Sequence, residues 1–374
     1  MLSNKKIIKE VLKENSIFFK HMISNIKFDE KYKNFKKFKT IVIIGMGGSI
    51  LGSKAIYSFL KHKIKKKFIF LDNLDEDYLK QIKKNKKLPK SLFLIISKSG
   101  NTNETILNMY FLKNFLTNKN TIILSENKDN FLRKVAIKNK YFFVNHNKII
   151  GGRYSVLSNV GMLPAYLMDL QIEHFKKNLR KLIDNKNFLF KSLNLVKKLK
   201  LKKTNVLVFF NYIPELNDFL FWVQQLFAES LGKNQKGFIP VISNAPKDHH
   251  SLLQLYLDGP KDKIFYILSA EKKLSIKTKS TFFGKEMQHL NKKKYNTIIN
   301  SQKNAFLTAL KSKKIPFREI NIKKFDEDTL GKLFSSFIIE TVLLGKIMNI
   351  NPFDQPAVEQ VKILTKKFLK LKKF

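Results

Sequence analysis

The sequence is poor in the residues that stabilise or anchor many extracellular and membrane proteins. It has no cysteine, which excludes disulfide bonds and thiolate metal sites. No apolar run approaches the ~20 residues that a membrane-spanning helix needs. The N-terminal stretch is interrupted by Lys9, Glu10, Lys13 and Glu14, which is unlike a signal peptide. We therefore expect a cytoplasmic protein without a membrane segment.

Arginine is also scarce, although the chain is strongly basic. Only four of its 72 Lys and Arg residues are arginines, and its formal net charge is +43. The lysines are spread over every segment, whereas arginine is the preferred residue for bidentate contacts to phosphates and bases. These features disfavour specific nucleic-acid binding and favour small anionic substrates. A general polyanion-binding protein stays open as an alternative, which a gel shift surviving moderate salt would support.

What the sequence does contain is a regular alternation of short apolar runs and amphipathic stretches. In the first half, the predicted strands cover residues 40–44, 67–71, 91–96, 121–124 and 141–144. After a helical region, the alternation resumes with predicted strands at 205–210, 264–268 and 317–322 and helices at 214–231 and 327–348. This spacing predicts an α/β fold with two mostly parallel sheets flanked by helices.

A hydroxyl-rich turn follows the predicted strand at 91–96. Ser97, Ser99 and Thr102 surround Gly100 in this turn, and a helical pattern follows. Hydroxyls and the free N–H groups of a helix start can together hold a phosphate, and glycine lets the backbone approach it. The alternative is that Thr102 caps the helix. The combination of three hydroxyls favours a phosphate site.

A second, glycine-rich turn covers Gly45–Ser49, after the predicted strand at 40–44. Ligands of parallel sheets bind beyond the carboxyl ends of strands, where both turns are expected. The spacing G-x-G-G-S differs from the dinucleotide fingerprint, and no ribose-binding acid follows at the required distance. A mononucleotide or a phosphosugar therefore fits this edge better than a dinucleotide.

Glu229 is a candidate for a proton-transfer base. Gln225 and Glu229 are four residues apart on a predicted helix, so they share one face. The negative end of the helix and the apolar neighbours Leu226 and Phe227 disfavour a charged carboxylate, which suits a group that must take up a proton. An exposed glutamate without a function is the alternative.

Three further side chains could take part in chemistry. His249 and His250 are adjacent, so they face different ways and at most one is expected to act; a structural histidine is the alternative. No other His or carboxylate lies at helical ligand spacing, so no metal site is predicted. Arg153 follows Gly151 and Gly152, which would let its guanidinium approach a ligand closely.

Together these motifs resemble the glucose-6-phosphate isomerase (phosphoglucose isomerase) family in a short form. The resemblance covers about residues 40–365 and rests on segments that stand in the family's order. These segments are Gly45–Ser49, Ser97–Thr105, Gly151–Ser155, Gln225–Glu229 with Gly232–Lys233, His250 with Gln254–Leu255, and Asn351–Pro356. Each segment alone is weakly specific, whereas their joint occurrence is highly specific.

The resemblance implies a reaction and the residues that perform it. The reaction is the reversible isomerisation of glucose 6-phosphate and fructose 6-phosphate through a cis-enediol, without a cofactor. In this chain, the positions that match the family's sugar-phosphate-binding residues are Gly48, Ser49, Ser97, Ser99, Thr102, Gln225 and Gln355. The residue matching Glu229 moves the proton, and the one matching Arg153 stabilises the enediolate. Those matching His250 and Lys362 assist ring opening.

The resemblance also implies how the chain is organised. We expect two sugar-isomerase (SIS-type) doubly wound domains with an active site between them. The expected parts are an N-terminal domain at 1–170, a helical linker at 171–202, a second domain at 203–350 and a C-terminal turn and helix at 351–374. The family is dimeric, and it implies a homodimer in which each site receives the partner subunit's His250.

Two related functions stay open at this point. The segment Ser99–Thr102 partly resembles dual-specificity phosphoglucose/phosphomannose isomerases, and an assay of mannose 6-phosphate beside glucose 6-phosphate would separate the two. The other alternative is a non-catalytic phosphosugar-binding protein. The second domain and the set of Glu229, His250 and Lys362 count against it, because sensing a phosphosugar does not require them.

Overall fold

Two parallel sheets flanked by helices form the framework of the protein, as the alternating pattern predicts. The computed structural model describes residues 4–201, 204–271, 275–279 and 282–371. The first sheet contains β1 (Thr40–Ile44), β2 (Lys67–Leu71), β3 (Leu92–Ile96), β4 (Thr121–Ser125) and β5 (Phe142–Asn145), in the spatial order β2-β1-β3-β4-β5. The second contains β6 (Val206–Asn211), β7 (Ile239–Asn244), β8 (Lys263–Ala270) and β9 (Phe317–Ile322), in the order β7-β6-β8-β9.

Helices precede, connect and follow these strands. In the first half they are α1 (Asn4–Glu14), α2 (Ser16–Ile23), α3 (Glu30–Lys33), α4 (Leu51–Phe59), α5 (Glu76–Lys83), α6 (Asn103–Phe111), α7 (Phe131–Lys138) and α8 (Asn159–Leu167). They continue as α9 (Ile172–Asp184), α10 (Lys186–Leu201), α11 (Asn217–Leu231), α12 (Leu253–Asp258), α13 (Tyr295–Ser312), α14 (Glu327–Met348) and α15 (Pro356–Lys370). No helix in the described ranges is both long and apolar enough to cross a bilayer.

The strand order places two important turns side by side. β1 pairs in parallel with β3, and Ile44 aligns with Ile95. The turns that follow β1 and β3 therefore leave the sheet at the same edge. Both strands are fully buried, because helices cover both faces of a parallel sheet.

The two halves of the chain share a hydrophobic core. One cluster of buried apolar side chains includes residues of both sheets and of α9 and α14. Helix α4 of the first half packs on α11 of the second, and the ring centroids of Phe59 and Phe325 are 5.1 Å apart. The predicted linker corresponds to α9 and α10, but its boundary at residue 202 lies outside the described residues. The domain limits stay a prediction.

Strand β7 is an element that the sequence pattern does not predict. It lies at the edge of the second sheet and contains Pro240, which has no N–H to donate to a neighbouring strand. Its apolar residues form neither a continuous run nor a clean alternation in the sequence, and its burial in the structure is irregular as well. Helices α12 and α13 are likewise absent from the prediction, whereas α14 has the bounds predicted for it.

Candidate active site

The turn after β3 brings its three hydroxyl groups together. Ser97 Oγ lies 2.8 Å from Thr102 Oγ1 and 3.5 Å from Ser99 Oγ. The backbone N–H of Gly100 donates to Ser97 Oγ at 3.2 Å. Ser97 is buried, Thr102 is half-buried and Ser99 is exposed, so the cluster reaches solvent on one side. The three hydroxyl groups thus form one compact group around Ser97 Oγ.

Thr102 occupies the N-cap position of α6, but its side chain makes no capping hydrogen bond. Its hydroxyl contacts Ser97 instead. The alternative in which the Thr102 hydroxyl only caps the helix is therefore wrong. The N–H groups in the first turn of α6 have no partner within the helix, and the positive end of the helix dipole lies behind them. An anion at the three hydroxyls would face this end of the helix.

Two glycines determine how the backbone is arranged at this edge. Gly100 has a φ of +68°, and a Cβ there would lie 1.9 Å from Asn130 Oδ1. Both the positive φ and the close contact with Asn130 thus require glycine at this position, and the expected approach of its backbone to a phosphate stays a prediction. In the turn after β1, a Cβ on Gly48 would lie 2.2 Å from the carbonyl carbon of Gly152. Gly48, next to the buried Ser49, therefore lets this turn touch the segment that carries Arg153.

Arg153 is buried, and its guanidinium joins distant parts of the chain. Only 1% of its side chain is exposed. Nε donates to Ser230 Oγ on α11 at 2.6 Å, and Nη1 donates to Gln355 Oε1 at 2.6 Å. Nη2 donates to the carbonyl oxygens of Pro352 at 2.7 Å and Asp354 at 3.0 Å. These bonds use four of the five N–H donors of a guanidinium, so the side chain is held in one orientation.

Glu229 lies next to Arg153. Its Oε2 is 3.8 Å from Arg153 Nη1, and Gln225 Nε2 donates to the same oxygen at 3.1 Å. Only 22% of the Glu229 side chain is exposed, which contradicts the alternative of an exposed glutamate. A carboxylate and a fixed cation thus stand side by side, as proton transfer with a developing negative charge requires.

Glu229 and Gln355 also border open space. Together with Gly232 and Lys233 they line a cavity of about 830 Å³ between the end of α11 and the start of α15. Because Gln355 Oε1 is bound to Arg153, its amide N–H groups remain for other partners. The cavity gives small molecules access to the side of α11 that carries Glu229.

Tyr154 and Trp222 support Arg153. The indole Nε1 of Trp222 donates to the backbone carbonyl of Arg153 at 3.0 Å. The Tyr154 hydroxyl donates to the Pro352 carbonyl at 3.0 Å and lies 3.0 Å from Ser230 Oγ. Burial raises the pKa of Tyr154 to about 12, so it remains a neutral donor. These contacts fix both the backbone and the surroundings of the guanidinium.

The two adjacent histidines face different ways, as expected. His249 Nε2 lies 2.8 Å from the Tyr212 hydroxyl, and burial lowers the pKa of His249. This is the behaviour of a structural histidine. His250 follows it at the end of a short 3-10 turn and is exposed to solvent.

Lys362 lies on α15, where its Nζ pairs with Glu359 Oε1 at 2.6 Å. No described residue of α15 is buried. Across residues 4–201, 204–271, 275–279 and 282–371, no hydrogen bond or ion pair joins Lys362 or His250 to Glu229 or Arg153. One chain therefore assembles Arg153, Glu229, Gln225 and Gln355, and leaves His250 and Lys362 at its surface.

Some contributing residues have little signal in the sequence. Ser230 and Trp222 bind Arg153 but belong to none of the sequence motifs. Pro352 lies in the segment Asn351–Pro356, but that motif does not indicate that its carbonyl oxygen binds Arg153. The one available hint is a polar Ser230 within an apolar helix face, next to the candidate base. In the part of the chain that the structure describes, no cluster of His, Asp or Glu side chains could hold a metal ion.

Sequence comparisons find related proteins over nearly the whole chain. The family model described as "Phosphoglucose isomerase" matches residues 4–373. The glucose-6-phosphate isomerase of Methanocaldococcus jannaschii is 34% identical over 96% of this chain and 92% of its own length. The enzyme of the same name from Campylobacter jejuni is 30% identical over 88% of this chain and 85% of its own length.

Solved structures share the fold. A hypothetical protein from Thermus thermophilus superimposes with a TM-score of 0.86 at 24% identity, covering 98% of this chain and 94% of that one. A glucose-6-phosphate isomerase from Chlamydia trachomatis gives a TM-score of 0.75 at 19% identity, covering 99% of this chain and 75% of that one. At these identities the likeness supports the architecture of two parallel sheets.

Proposed function

Because the chain belongs to the phosphoglucose isomerase family, we propose that it reversibly isomerises glucose 6-phosphate and fructose 6-phosphate. The observation that carries this proposal is the pairing of Glu229 with Arg153, at 3.8 Å between Oε2 and Nη1. The segment that holds Arg153 touches the turn after β1, which leaves the same sheet edge as the hydroxyl cluster. A proton acceptor, a fixed cation and a compact group of hydroxyls thus belong to one region.

The chemistry requires a hydrogen to move between two carbons. Glu229 takes the proton from C2 of the open-chain aldose while the C1 carbonyl oxygen gains negative charge. The C1 oxygen takes up a proton and the C2 hydroxyl loses one, so that the C2 carbonyl forms as Glu229 returns its proton to C1. The substrate thus undergoes no net oxidation. Arg153 stabilises the intermediate charge with its remaining Nη1 N–H.

The phosphate binds away from the reacting carbons. Ser97, Ser99 and Thr102 hold it, with Gly48 and Ser49 contributed by the turn after β1. Since the phosphate takes no part in the chemistry, its binding energy serves to position C1 and C2 beside Glu229. The high positive charge of the chain favours the approach of such an anion.

A coupled assay of fructose 6-phosphate conversion tests this function. Glucose 6-phosphate should form, and in D₂O it should carry deuterium at C2, because a carboxylate exchanges its proton with solvent. Mannose 6-phosphate, assayed in parallel, distinguishes a dual-specificity enzyme from a glucose-specific one. A lack of turnover with both hexose phosphates would contradict the proposal and leave a phosphosugar-binding protein.

We also propose that the active unit is a homodimer in which His250 and Lys362 assist ring opening, His250 acting in the site of the other subunit. Both side chains are exposed in the single chain. The apolar residues Val361, Leu364 and Phe368 follow each other at helical spacing on α15 and are exposed as well, so a second copy would bury them. A cytoplasmic location stays a prediction.

A further inference from the structure

We infer that Lys233 is a positioning residue for the proposed isomerisation, because it holds the turn Asn351–Gln355 against the end of the helix that carries Glu229. The inference rests on the proposed function. Lys233 directly follows Gly232, the C-cap of α11, so it stands four residues after Glu229. A shift of the turn relative to α11 would therefore move Gln355 relative to Glu229.

All three protons of the Lys233 ammonium are directed at this turn. Nζ donates to the carbonyl oxygens of Asn351 and Asp354, the latter at 2.7 Å, and to Asp354 Oδ1 at 2.5 Å. Only 11% of the Lys233 side chain is exposed. An exposed ion pair contributes little to stability, but an ammonium that is mostly buried and fully bonded restricts its partners strongly.

Arg153 binds the same turn as Lys233. Its Nη2 donates to the Asp354 carbonyl oxygen at 3.0 Å, so that this oxygen accepts bonds from both cations. Arg153 belongs to the first half of the chain and Lys233 to the second. The turn is thus clamped between them, and Gln355, whose Oε1 is bound by Arg153 Nη1, is placed by both.

The charges at this clamp are balanced locally. Lys233 lowers the pKa of Asp354 by a charge-assisted hydrogen bond, and Asn351 Nδ2 donates to the other carboxylate oxygen at 3.1 Å. The carboxylate is therefore kept ionised and fixed at neutral pH. Loss of Lys233 would remove the donor to the Asn351 carbonyl oxygen and to Asp354 Oδ1, while the Asp354 carbonyl oxygen would keep its bond from Arg153.

The test compares Lys233→Met with Lys236→Met. Lys236 lies in the same loop and donates to one carbonyl oxygen, that of Met348, at 3.1 Å. Both substitutions remove one positive charge, but only Lys233 contacts the turn. We expect kcat of Lys233→Met to fall about 10- to 100-fold with KM changed less than about threefold, because a small displacement of positioned groups is costly. Lys236→Met should retain the wild-type kcat, and Lys233→Arg should recover part of the loss.

A second variant separates positioning from folding. Asp354→Asn removes the carboxylate but keeps the backbone carbonyl, so the double variant Lys233→Met/Asp354→Asn should lose less activity than the product of the single losses. The inference would be overturned if Lys233→Met had a lowered melting temperature with an unchanged kcat. It would also be overturned if the loss of activity in the double variant equalled the product of the single losses. If Lys233→Met does not fold, an unchanged kcat in Asp354→Asn would overturn it. Wild-type protein without isomerase activity would instead refute the proposed function.

Discussion

Two regions of the molecule differ in how completely a single chain builds them. One region surrounds Arg153, and the other consists of the elements that carry His250 and Lys362. We call the first region the Arg153 junction; it consists of Arg153, Tyr154, Ser230 and the turn Asn351–Gln355. Its guanidinium is buried with four hydrogen bonds. In contrast, His250 is exposed, and α15 has no buried residue among those described.

The difference follows from the cost of burying charge. A buried cation is tolerated only when its donors are paired, and the pairing then makes it rigid. The junction is therefore preorganised before a substrate arrives, which suits a group that stabilises developing charge. Exposed side chains such as His250 and Lys362 are free to meet a second chain or a substrate, and their final positions depend on that encounter.

Replacing the proposed base, Glu229, which lies beside the Arg153 junction, should have the largest effect on activity. In Glu229→Gln, the amide can still accept from Gln225 but cannot take up a proton, so kcat should fall about 10³- to 10⁴-fold. Deuterium incorporation at C2 should disappear too, whereas a sugar-phosphate analogue should bind nearly as before. Glu173→Gln, an exposed change on α9, serves as the control. Wild-type exchange in Glu229→Gln would show that another residue is the base.

Arg153→Lys tests whether the junction needs a guanidinium. A lysine has three donors on one atom and cannot reach all four acceptors that Arg153 binds. We expect kcat to fall about 10²- to 10³-fold, the range for loss of an oxyanion-stabilising donor. The same substitution at the surface residue Arg133, bound to Asn127, should leave kcat unchanged. Equal kcat values in both variants would remove Arg153 from the mechanism.

The hydroxyl cluster should affect binding more than chemistry. Thr102→Val keeps the side-chain shape but removes one donor, so binding of a sugar-phosphate inhibitor should weaken by about 1–3 kcal/mol. The measurement is the inhibition constant, with Thr308→Val on the exposed face of α13 as the matched control. An unchanged inhibition constant would exclude Thr102 from the phosphate site.

The activity of a mixed dimer tests directly whether the exposed His250 acts in the site of the other subunit. If each site combines Glu229 of one chain with the partner subunit's His250, co-expression of Glu229→Gln and His250→Ala should restore about one quarter of the wild-type sites. About half of the dimers would be mixed, and in each of these one site would carry neither change. A tagged pull-down establishes that subunits exchange. Exchange without any recovered activity would place both residues in a single chain.

Regular elements could be predicted from the sequence wherever a local pattern was strong. The continuous apolar runs of β1 and β3 are typical of buried parallel strands, and the structure confirms both. Edge strand β7, with its proline and irregular burial, has no such run. The three hydroxyls after β3 were also predictable, because they lie within six residues of one another and meet around a single turn.

The contacts of Arg153, in contrast, could not be predicted from a local sequence pattern. Its partners Ser230 and Gln355 are 77 and 202 residues away, and Lys233 meets Asp354 across 121 residues. Local periodicity reports which face of an element is apolar, but it contains no information on which distant polar groups will meet. The amino-acid pattern thus established two parallel sheets, the hydroxyl turn and a candidate base on a helix. Only packing of the two halves decided which acceptors surround the buried guanidinium, since a buried charge must find its partners wherever the fold places them.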